Sequence, residues 1–373
     1  MNIHFNDLGA QWGVIKEECI KNLDSLFERS DFILGGKVKE FEDSFAVYSN
    51  STYAVGVSNG TDALKLAAQS LYLEGRICFI IPANTFVATL SGVEQAYPNA
   101  TFKLIDCDEY HQLDMNLLGD FLITERQYYD EIVIVPVHLY GYCCNMDKLK
   151  YFEEKYNCTI LEDASQAHGS KYNGTSVGGF GLVSAFSLYP GKNLGAAGDA
   201  GIITTNDKEI YKRLLMLRNL GSVEKFKHEI RGGNHRLDTI QAIILNEKMK
   251  YIDEWNGKRR DVVKLYESKI HNKNIILPKT PPDCLPVHHI YAVLVKNRNH
   301  FTNFLEDYNI QWGIHYPICI EEMEMYKCLE GPNKKSLRYS KEMVSLPIHP
   351  FMKMKEILYI CDTLNNYKLD GEK

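Results

Sequence analysis

Nowhere do the 373 residues contain the run of about 18 consecutive apolar residues that a membrane-spanning helix requires. The opening M-N-I-H-F-N-D-L has no basic stretch followed by an apolar core, so no secretory leader is expected and the compartment expected is the cytoplasm. The ten cysteines form no C-x-x-C pair and have no histidines at zinc spacing. Neither a disulfide framework nor a metal site is therefore expected, and the adjacent Cys143 and Cys144 are read as packing residues. An excess of basic residues is also missing. With 42 Lys and Arg against 48 Asp and Glu, the net charge of −6 gives no reason to expect nucleic acid or an anionic membrane as partner. Internal repeats, low-complexity tracts and a phosphate loop of the G-x-x-x-x-G-K-[ST] kind are absent too. An anionic ligand must be held by local donors.

What is present is an ordinary globular composition, 45% hydrophobic and 24% charged, in a chain longer than a single core usually supports. Apolar residues returning every three or four positions predict a helix over 12–29 and another from Phe41 to Tyr48. Y-A-V-G-V-S then reads as a strand, N-G-T-D as a turn and A-L-K-L-A-A-Q-S-L as a helix. Short apolar runs alternate with helices from there on: C-F-I-I-P, T-F-K-L-I-D, E-I-V-I-V-P-V, C-T-I-L-E-D, S-A-F-S-L and G-I-I-T-T. That alternation predicts a predominantly parallel sheet covered on both faces. Beyond residue 206 the pattern changes to a helix over Lys208–Asn219, a polar Gly-containing segment over Gly221–Arg236, and one strong helix from Leu237 extending to Lys269. Prolines between Pro278 and Pro286 mark a linker, after which Y-A-V-L-V-K and W-G-I-H-Y-P read as strands and 299–308 and 353–366 as helices. The expected division is a large α/β domain, residues 1–250, and a smaller C-terminal α+β domain, residues 251–373.

Three segments at predicted strand ends can meet in one cleft, because open α/β sheets bind ligands beyond the carboxyl ends of their strands. In Ser58-Asn59-Gly60-Thr61-Asp62 a strand stops and a helix starts, where free N–H groups, the Thr61 hydroxyl and the helix dipole favour a phosphate; Thr61 or Asp62 could equally serve only as an N-cap. In L-E-D-A-S-Q-A-H-G, Asp163 follows a buried apolar strand and is either a cap or a ligand-facing charge. In F-S-L-Y-P-G-K-N-L-G, Ser187, Tyr189 and Lys192 sit in a Gly- and Pro-rich loop, where a desolvated lysine becomes a nucleophile. An acid and a loop lysine on neighbouring strands suit pyridoxal phosphate: the acid keeps the pyridine nitrogen protonated and the lysine bonds the aldehyde.

Taken together, G-V-S-N-G-T-D-A-L, P-A-N-T-F-V-A-T, E-D-A-S-Q-A-H-G, F-S-L-Y-P-G-K-N-L-G-A-A-G-D-A-G and G-G-N-H-R-L-D-T-I-Q-A resemble the nucleotide-sugar aminotransferases of the DegT/StrS type, which are fold-type I pyridoxal-phosphate enzymes. The resemblance runs in order along nearly the whole chain. It implies a mainly parallel seven-stranded sheet flanked by helices, pyridoxal 5′-phosphate as cofactor, and a homodimer with shared active sites. It further implies that Lys192 bonds the cofactor, Asp163 pairs with the pyridine nitrogen, Gln166 approaches the ring hydroxyl and Phe86 stacks on the ring. Gly60, Thr61 and Ser187 are then the phosphate ligands, and Asn234 reaches the phosphate of the neighbouring subunit.

The donor that the resemblance implies is L-glutamate, and the acceptor is a nucleotide-linked keto sugar. Gln166 with A-H-G, Tyr189 with P-G, H-E-I-R-G-G-N from His228 to Asn234, and G-I-H-Y-P from Gly313 resemble most the branch aminating dTDP-3-keto-6-deoxyhexoses. In that branch Tyr189, His315 and Tyr316 lie near the hexose, and the charges of His228 and Arg236 suit the nucleotide diphosphate. A C-4 aminotransferase of a dTDP- or UDP-4-keto sugar, a cyclitol aminotransferase, and a non-catalytic regulatory or binding protein on the same scaffold are the alternatives. Family members that dehydrate at C-3 carry His in place of the lysine, and Lys192 speaks against that reaction.

Overall fold

Seven strands come from the short apolar runs: β1 (Tyr53–Val57), β2 (Ile77–Pro82), β3 (Thr101–Ile105), β4 (Glu131–Ile134), β5 (Thr159–Asp163), β6 (Val183–Ser187) and β7 (Gly201–Thr205). The computed structural model describes residues 1–224, 226–329, 331 and 333–369. The strands form one sheet in the order β1-β7-β6-β5-β4-β2-β3. Neighbours from β6 through β5, β4 and β2 to β3 pair in parallel. β7 runs antiparallel to both β6 and β1. Its direction follows from the connection. The chain returns from the end of β6 through the loop 188–200 without a helix, and a parallel return would need a crossover connection, usually helical.

Both faces of the sheet are covered, so each strand feeds two cores by simple alternation. Cys78 and Ile80 of β2 join Ile132, Ile134, Ile160 and Phe186 on one side. Phe79 and Ile81 join Val133, Leu161, Val183 and Ala185 on the other. The first side is closed by α2 (Gly36–Tyr48) and the helix Thr239–Met249, the second by α3 (Gly60–Gln69) and α4 (Ala88–Ala96). A further core gathers Tyr266, Tyr291, Val293, Phe301, Leu346 and Ile360. It lies among the helices Ile252–Lys269, Arg298–Asp307 and Met354–Asn365 and the antiparallel strands Tyr291–Leu294 and Met343–Leu346. Among the described residues no helix is long and apolar enough to cross a membrane.

Four local expectations are corrected. The first helix, α1 (Leu8–Arg29), starts before residue 12 because the Asp7 carboxylate accepts from the Ala10 N–H at 2.9 Å and caps an additional turn. N-G-T-D is not a turn: Asn59 caps α3, and Gly60 to Asp62 are its first residues. The strong helix from Leu237 to Lys269 is two helices, Thr239–Met249 and Ile252–Lys269, with a turn at Lys250 and Tyr251 that no Gly or Pro announces. That turn carries Trp255 back onto Ile15, Cys19 and Ile244. W-G-I-H-Y-P makes a single bridge, Gly313 to Ser345, before Tyr316 is drawn toward Gln166.

Glu162 on β5 is buried and accepts five hydrogen bonds, from the N–H groups of Gly178 (3.0 Å), Phe180 (3.0 Å) and Gly181 (2.7 Å), from the Ser184 hydroxyl (2.8 Å), and from His138 Nε2 (3.0 Å). Burial alone would raise its pKa, but His138 and the Gly181 and Gly178 amides outweigh burial and hold it below the usual carboxylate range. A group shifted this way stabilises the fold above its unfolded pKa and loses that contribution as the pH falls. Glu162→Gln, which turns an amide donor toward this set of donors, is expected to cost about 3 kcal/mol at pH 7 in denaturant unfolding. The deficit should shrink as the wild type is acidified.

Candidate active site

The ends of β1, β5 and β6 open into a cavity of about 720 Å³. At its first wall the Asn59 side chain accepts from the Asp62 N–H at 2.8 Å. The Asp62 carboxylate in turn binds the Ser58 hydroxyl at 2.5 Å, Asn59 Nδ2 at 2.9 Å and His235 Nδ1 at 3.0 Å. Neither Thr61 nor Asp62 is thus the N-cap. The amides of Gly60 and Thr61, at the positive end of α3, border the cavity. A Cβ on Gly60 would lie 2.5 Å from Ser187 Cβ, and one on Gly201 would lie 2.4 Å from the Asn59 carbonyl oxygen. The two glycines let the start of α3 press against the ends of β6 and β7.

Asp163 follows Glu162 on β5 and points to the opposite face. Buried at 4% exposure, it accepts from Thr89 Oγ1 at 2.7 Å and from the Ser165 N–H at 3.1 Å. Thr85 and Thr89 share a hydrogen bond of 2.9 Å. The carboxylate is thereby held in one orientation with room for a further donor. Gln166 is oriented at both ends: Oε1 accepts from the Tyr140 N–H at 2.7 Å, and Nε2 donates to the Tyr316 hydroxyl at 3.0 Å. Tyr316 also lies against Phe86, with ring centroids 5.1 Å apart. Phe86 is 50% exposed at the cavity wall, so ordinary core packing does not account for it.

Lys192 stands in the loop between β6 and β7. The loop is closed on itself by Lys192 N–H to the Tyr189 carbonyl (2.9 Å), Ala196 N–H to Leu188 (2.8 Å) and Leu188 N–H to Ala200 (2.8 Å). Gly195 is needed in that fold, since a Cβ there would meet the Pro190 carbonyl oxygen at 2.3 Å. Burial pulls the Lys192 ammonium down to about 8, and Asp163 opposes part of the shift. His315, stacked on Phe5 and bonded through Nδ1 to the Ser345 hydroxyl at 2.8 Å, is pulled down to about 4 by burial and then by Lys192, so it is neutral.

Gly60, Thr61, Phe86, Asp163, Gln166, Ser187, Tyr189, Lys192, His315 and Tyr316 all line this one cavity. Asn234, His228 and Arg236 do not line it. Asn234 bridges to Asn219, the exposed His228 bonds through Nδ1 to the Leu220 carbonyl at 2.9 Å, and Arg236 Nη1 donates to Asn219 Oδ1 at 3.1 Å. Reasoning from sequence missed Thr89, Arg259 and His289 in the wall. Thr89 offered a faint signal, a second hydroxyl four positions after Thr85 in P-A-N-T-F-V-A-T. The other two offered none.

A mixed α/β sheet carrying an acid, a desolvated lysine and a helix N-terminus around one cavity defines the scaffold of a pyridoxal-phosphate aminotransferase. The chain belongs to the DegT/DnrJ/EryC1/StrS aminotransferase family, whose model matches residues 14–365. It is 38% identical over 353 residues to a dTDP-3-amino-3,6-dideoxy-alpha-D-galactopyranose transaminase of Aneurinibacillus thermoaerophilus, covering 94% of this chain and 96% of the relative. It is 35% identical over 370 residues to a dTDP-3-amino-3,4,6-trideoxy-alpha-D-glucose transaminase of Streptomyces venezuelae, covering 98% and 96%. The crystal structure of S. venezuelae DesV in complex with a ketimine intermediate superposes with a TM-score of 0.92 at 34% identity over 98% of both chains.

The protein is an aminotransferase, and its cofactor is pyridoxal 5′-phosphate. The donor set fits that group: amides at the start of α3 suit a phosphate, the buried Asp163 suits a ring N–H, and Lys192 lies in the same cavity. Because the Lys192 pKa is depressed, its amine becomes free base near pH 8 rather than above 10. The rate at which apoprotein captures pyridoxal phosphate should accordingly rise with pH to a plateau with a midpoint near 8. A midpoint near that of an ordinary lysine would contradict this.

Proposed function

We propose that the protein transfers the amino group of L-glutamate to C-3 of a dTDP-3-keto-6-deoxyhexose, giving 2-oxoglutarate and a dTDP-3-amino-3,6-dideoxyhexose of the galactose or glucose type. The observation that carries this reading is the convergence of Lys192, Asp163, Gln166 and Tyr316 on one cavity in a chain similar throughout to two transaminases named for dTDP-3-amino sugars. In this reading residues 1–250 form the cofactor-binding domain, of which 225 lies outside the described residues, and 251–373 the smaller one, of which 330, 332 and 370–373 lie outside them. The enzyme works in the cytoplasm.

Pyridoxal phosphate, when bound, supplies an aldehyde that takes up the amine and a ring that withdraws the electron pair released at the reacting carbon. The remaining roles belong to the chain. Gly60, Thr61 and Ser187 hold the phosphate, Phe86 covers the ring and Gln166 turns its amide to the ring hydroxyl. Asp163, oriented by Thr89 and Ser165, holds the proton on the ring nitrogen. Lys192 Nζ, with a pKa near working pH, moves a proton between the substrate carbon and C4′ of the cofactor, in opposite directions in the two half-reactions. Tyr189, His315 and Tyr316 face the hexose. Asn234 extends to the phosphate held by a second copy, which makes the protein a homodimer with shared active sites. His228 and Arg236 serve the nucleotide diphosphate from the same loop.

Lys192→Ala should abolish turnover and the visible absorbance of lysine-bound cofactor; normal turnover by that variant would overturn the assignment. A wild type that shows no such band after addition of pyridoxal phosphate would instead be a binding protein. Position is decided separately, by loading the enzyme with pyridoxamine phosphate and adding dTDP-3-keto or dTDP-4-keto 6-deoxyhexose. The 3-keto sugar should restore the band, and recovery with the 4-keto sugar alone would move the amination to C-4.

A further inference from the structure

Two arginines of the described chain are almost completely buried, and they are balanced differently. Arg218, 7% exposed, forms an ion pair with Glu42 and also donates to the Gly56 carbonyl at 2.9 Å. Arg259, 2% exposed on the helix Ile252–Lys269, lines the cavity that holds Lys192. Its Nη1 donates to the carbonyl oxygens of Ile348 at 2.8 Å and His288 at 3.4 Å. Among the described residues no carboxylate pairs with it, and burial alone pulls its pKa down to about 10. Carbonyl oxygens satisfy part of its donor set and none of its charge. Keeping an unpaired cation out of water is costly, and the cost falls when a ligand brings the opposite charge.

The surroundings point to the kind of anion. His289 is held neutral by burial and by the positive fields of Lys192 and then Arg259, which places it within reach of both cations. Its Nδ1 bonds to Asn193 Oδ1 at 3.1 Å, next in sequence to Lys192. The charge of Arg259 is therefore felt in the same cavity as the reacting amine. A nucleotide diphosphate is held away from the keto carbon by the hexose ring, whereas an amino acid carries a carboxylate one bond from the carbon that loses its amine. The planar guanidinium fork matches a carboxylate, and Nε and Nη2 have no protein partner among the described residues.

We propose that Arg259 is the carboxylate anchor of the amino donor. This rests on the transamination reading above and adds to it the residue that selects the donor. Arg259 would then act in the glutamate half-reaction and little in the sugar half-reaction, although both use the same lysine.

The test separates the halves. With the cofactor-loaded enzyme, Arg259→Gln should raise the glutamate concentration needed for half-maximal loss of the visible band by about thirtyfold or more, and Arg259→Lys should recover part of the loss. The pyridoxamine-phosphate form of Arg259→Gln, given the keto sugar, should be impaired at least about tenfold less than its glutamate half. Glutarate, which has no amine to transfer, should bind the wild-type holoenzyme in calorimetry and bind Arg259→Gln far more weakly. Equal glutarate affinity in the two proteins, no glutarate binding to wild type, or a loss of dTDP affinity as large as the loss for glutarate would each overturn the proposal. Should Arg259→Gln fail to fold, the wild type still decides: binding the neutral diamide glutaramide as tightly as glutarate would overturn it as well. A wild type whose band glutamate leaves untouched would sink the transamination reading, while the glutarate isotherms still judge Arg259.

Discussion

At the end of β5 two consecutive carboxylates leave the chain on opposite faces, and the rest of the site is arranged around that pair. Glu162 turns into the protein and accepts from three backbone amides, a hydroxyl and His138, tying the loop 178–184 and the segment after β4 to the middle of the sheet. His138 passes the connection on, since its Nδ1 accepts from the Cys144 N–H at 3.1 Å. Cys143 and Cys144 are free thiols that serve as buried packing there. With its neighbour fixed so firmly, Asp163 has little freedom on the cavity side, and Thr89 and Ser165 remove what remains. A buried carboxylate as fully hydrogen-bonded as Glu162 specifies one geometry, which a site built on two opposed charges needs.

Lys192 depends on the same sheet in a different way. A lysine in water would be charged and a poor nucleophile at neutral pH. Here the loop from β6 to β7 closes through its own backbone hydrogen bonds and glycines, and it carries the amine into a space where burial disfavours its charge. The antiparallel course of β7 makes this possible. A crossover to a parallel strand would have taken the chain out over one face of the sheet instead of back across the cavity mouth. The start of α3 completes the enclosure, pressed onto Ser187 through Gly60, so that a helix dipole, an acid and an amine meet over the ends of β1, β5 and β6.

Much of this was legible beforehand because the elements involved are local. Strand runs such as C-F-I-I-P and T-I-L-E-D name themselves by composition, and the glycines of Y-P-G-K-N-L-G mark a loop whatever surrounds it. The pairing of Thr89 with Asp163 and the exposure of Arg259 to the cavity were hidden, since each joins segments far apart in the chain. The turn at Lys250 and Tyr251 was hidden for a related reason. Nothing in its residues opposes a continuous helix, and the break accompanies a long-range packing of Trp255 with Ile15, Cys19 and Ile244. G-I-H-Y-P misled in the opposite direction: its apolar and aromatic residues have strand propensity, but Tyr316 is engaged by Gln166.

By itself, then, the order of residues determined the α/β layering, the positions of the strand ends, and the chemical types gathered there: a carboxylate, a lysine, small residues for a phosphate. These follow from periodicity and from steric rules that act over a few residues. Only the tertiary structure decided which charges face one another. It placed Asp163 under Thr89, lowered the pKa of Lys192 by enclosing it, and left Arg259 buried on backbone carbonyls with no carboxylate partner among the described residues while giving Arg218 its glutamate. Solvation and Coulomb energies depend on distance in space and on how much water is excluded. Neither quantity is written in the chain until it folds.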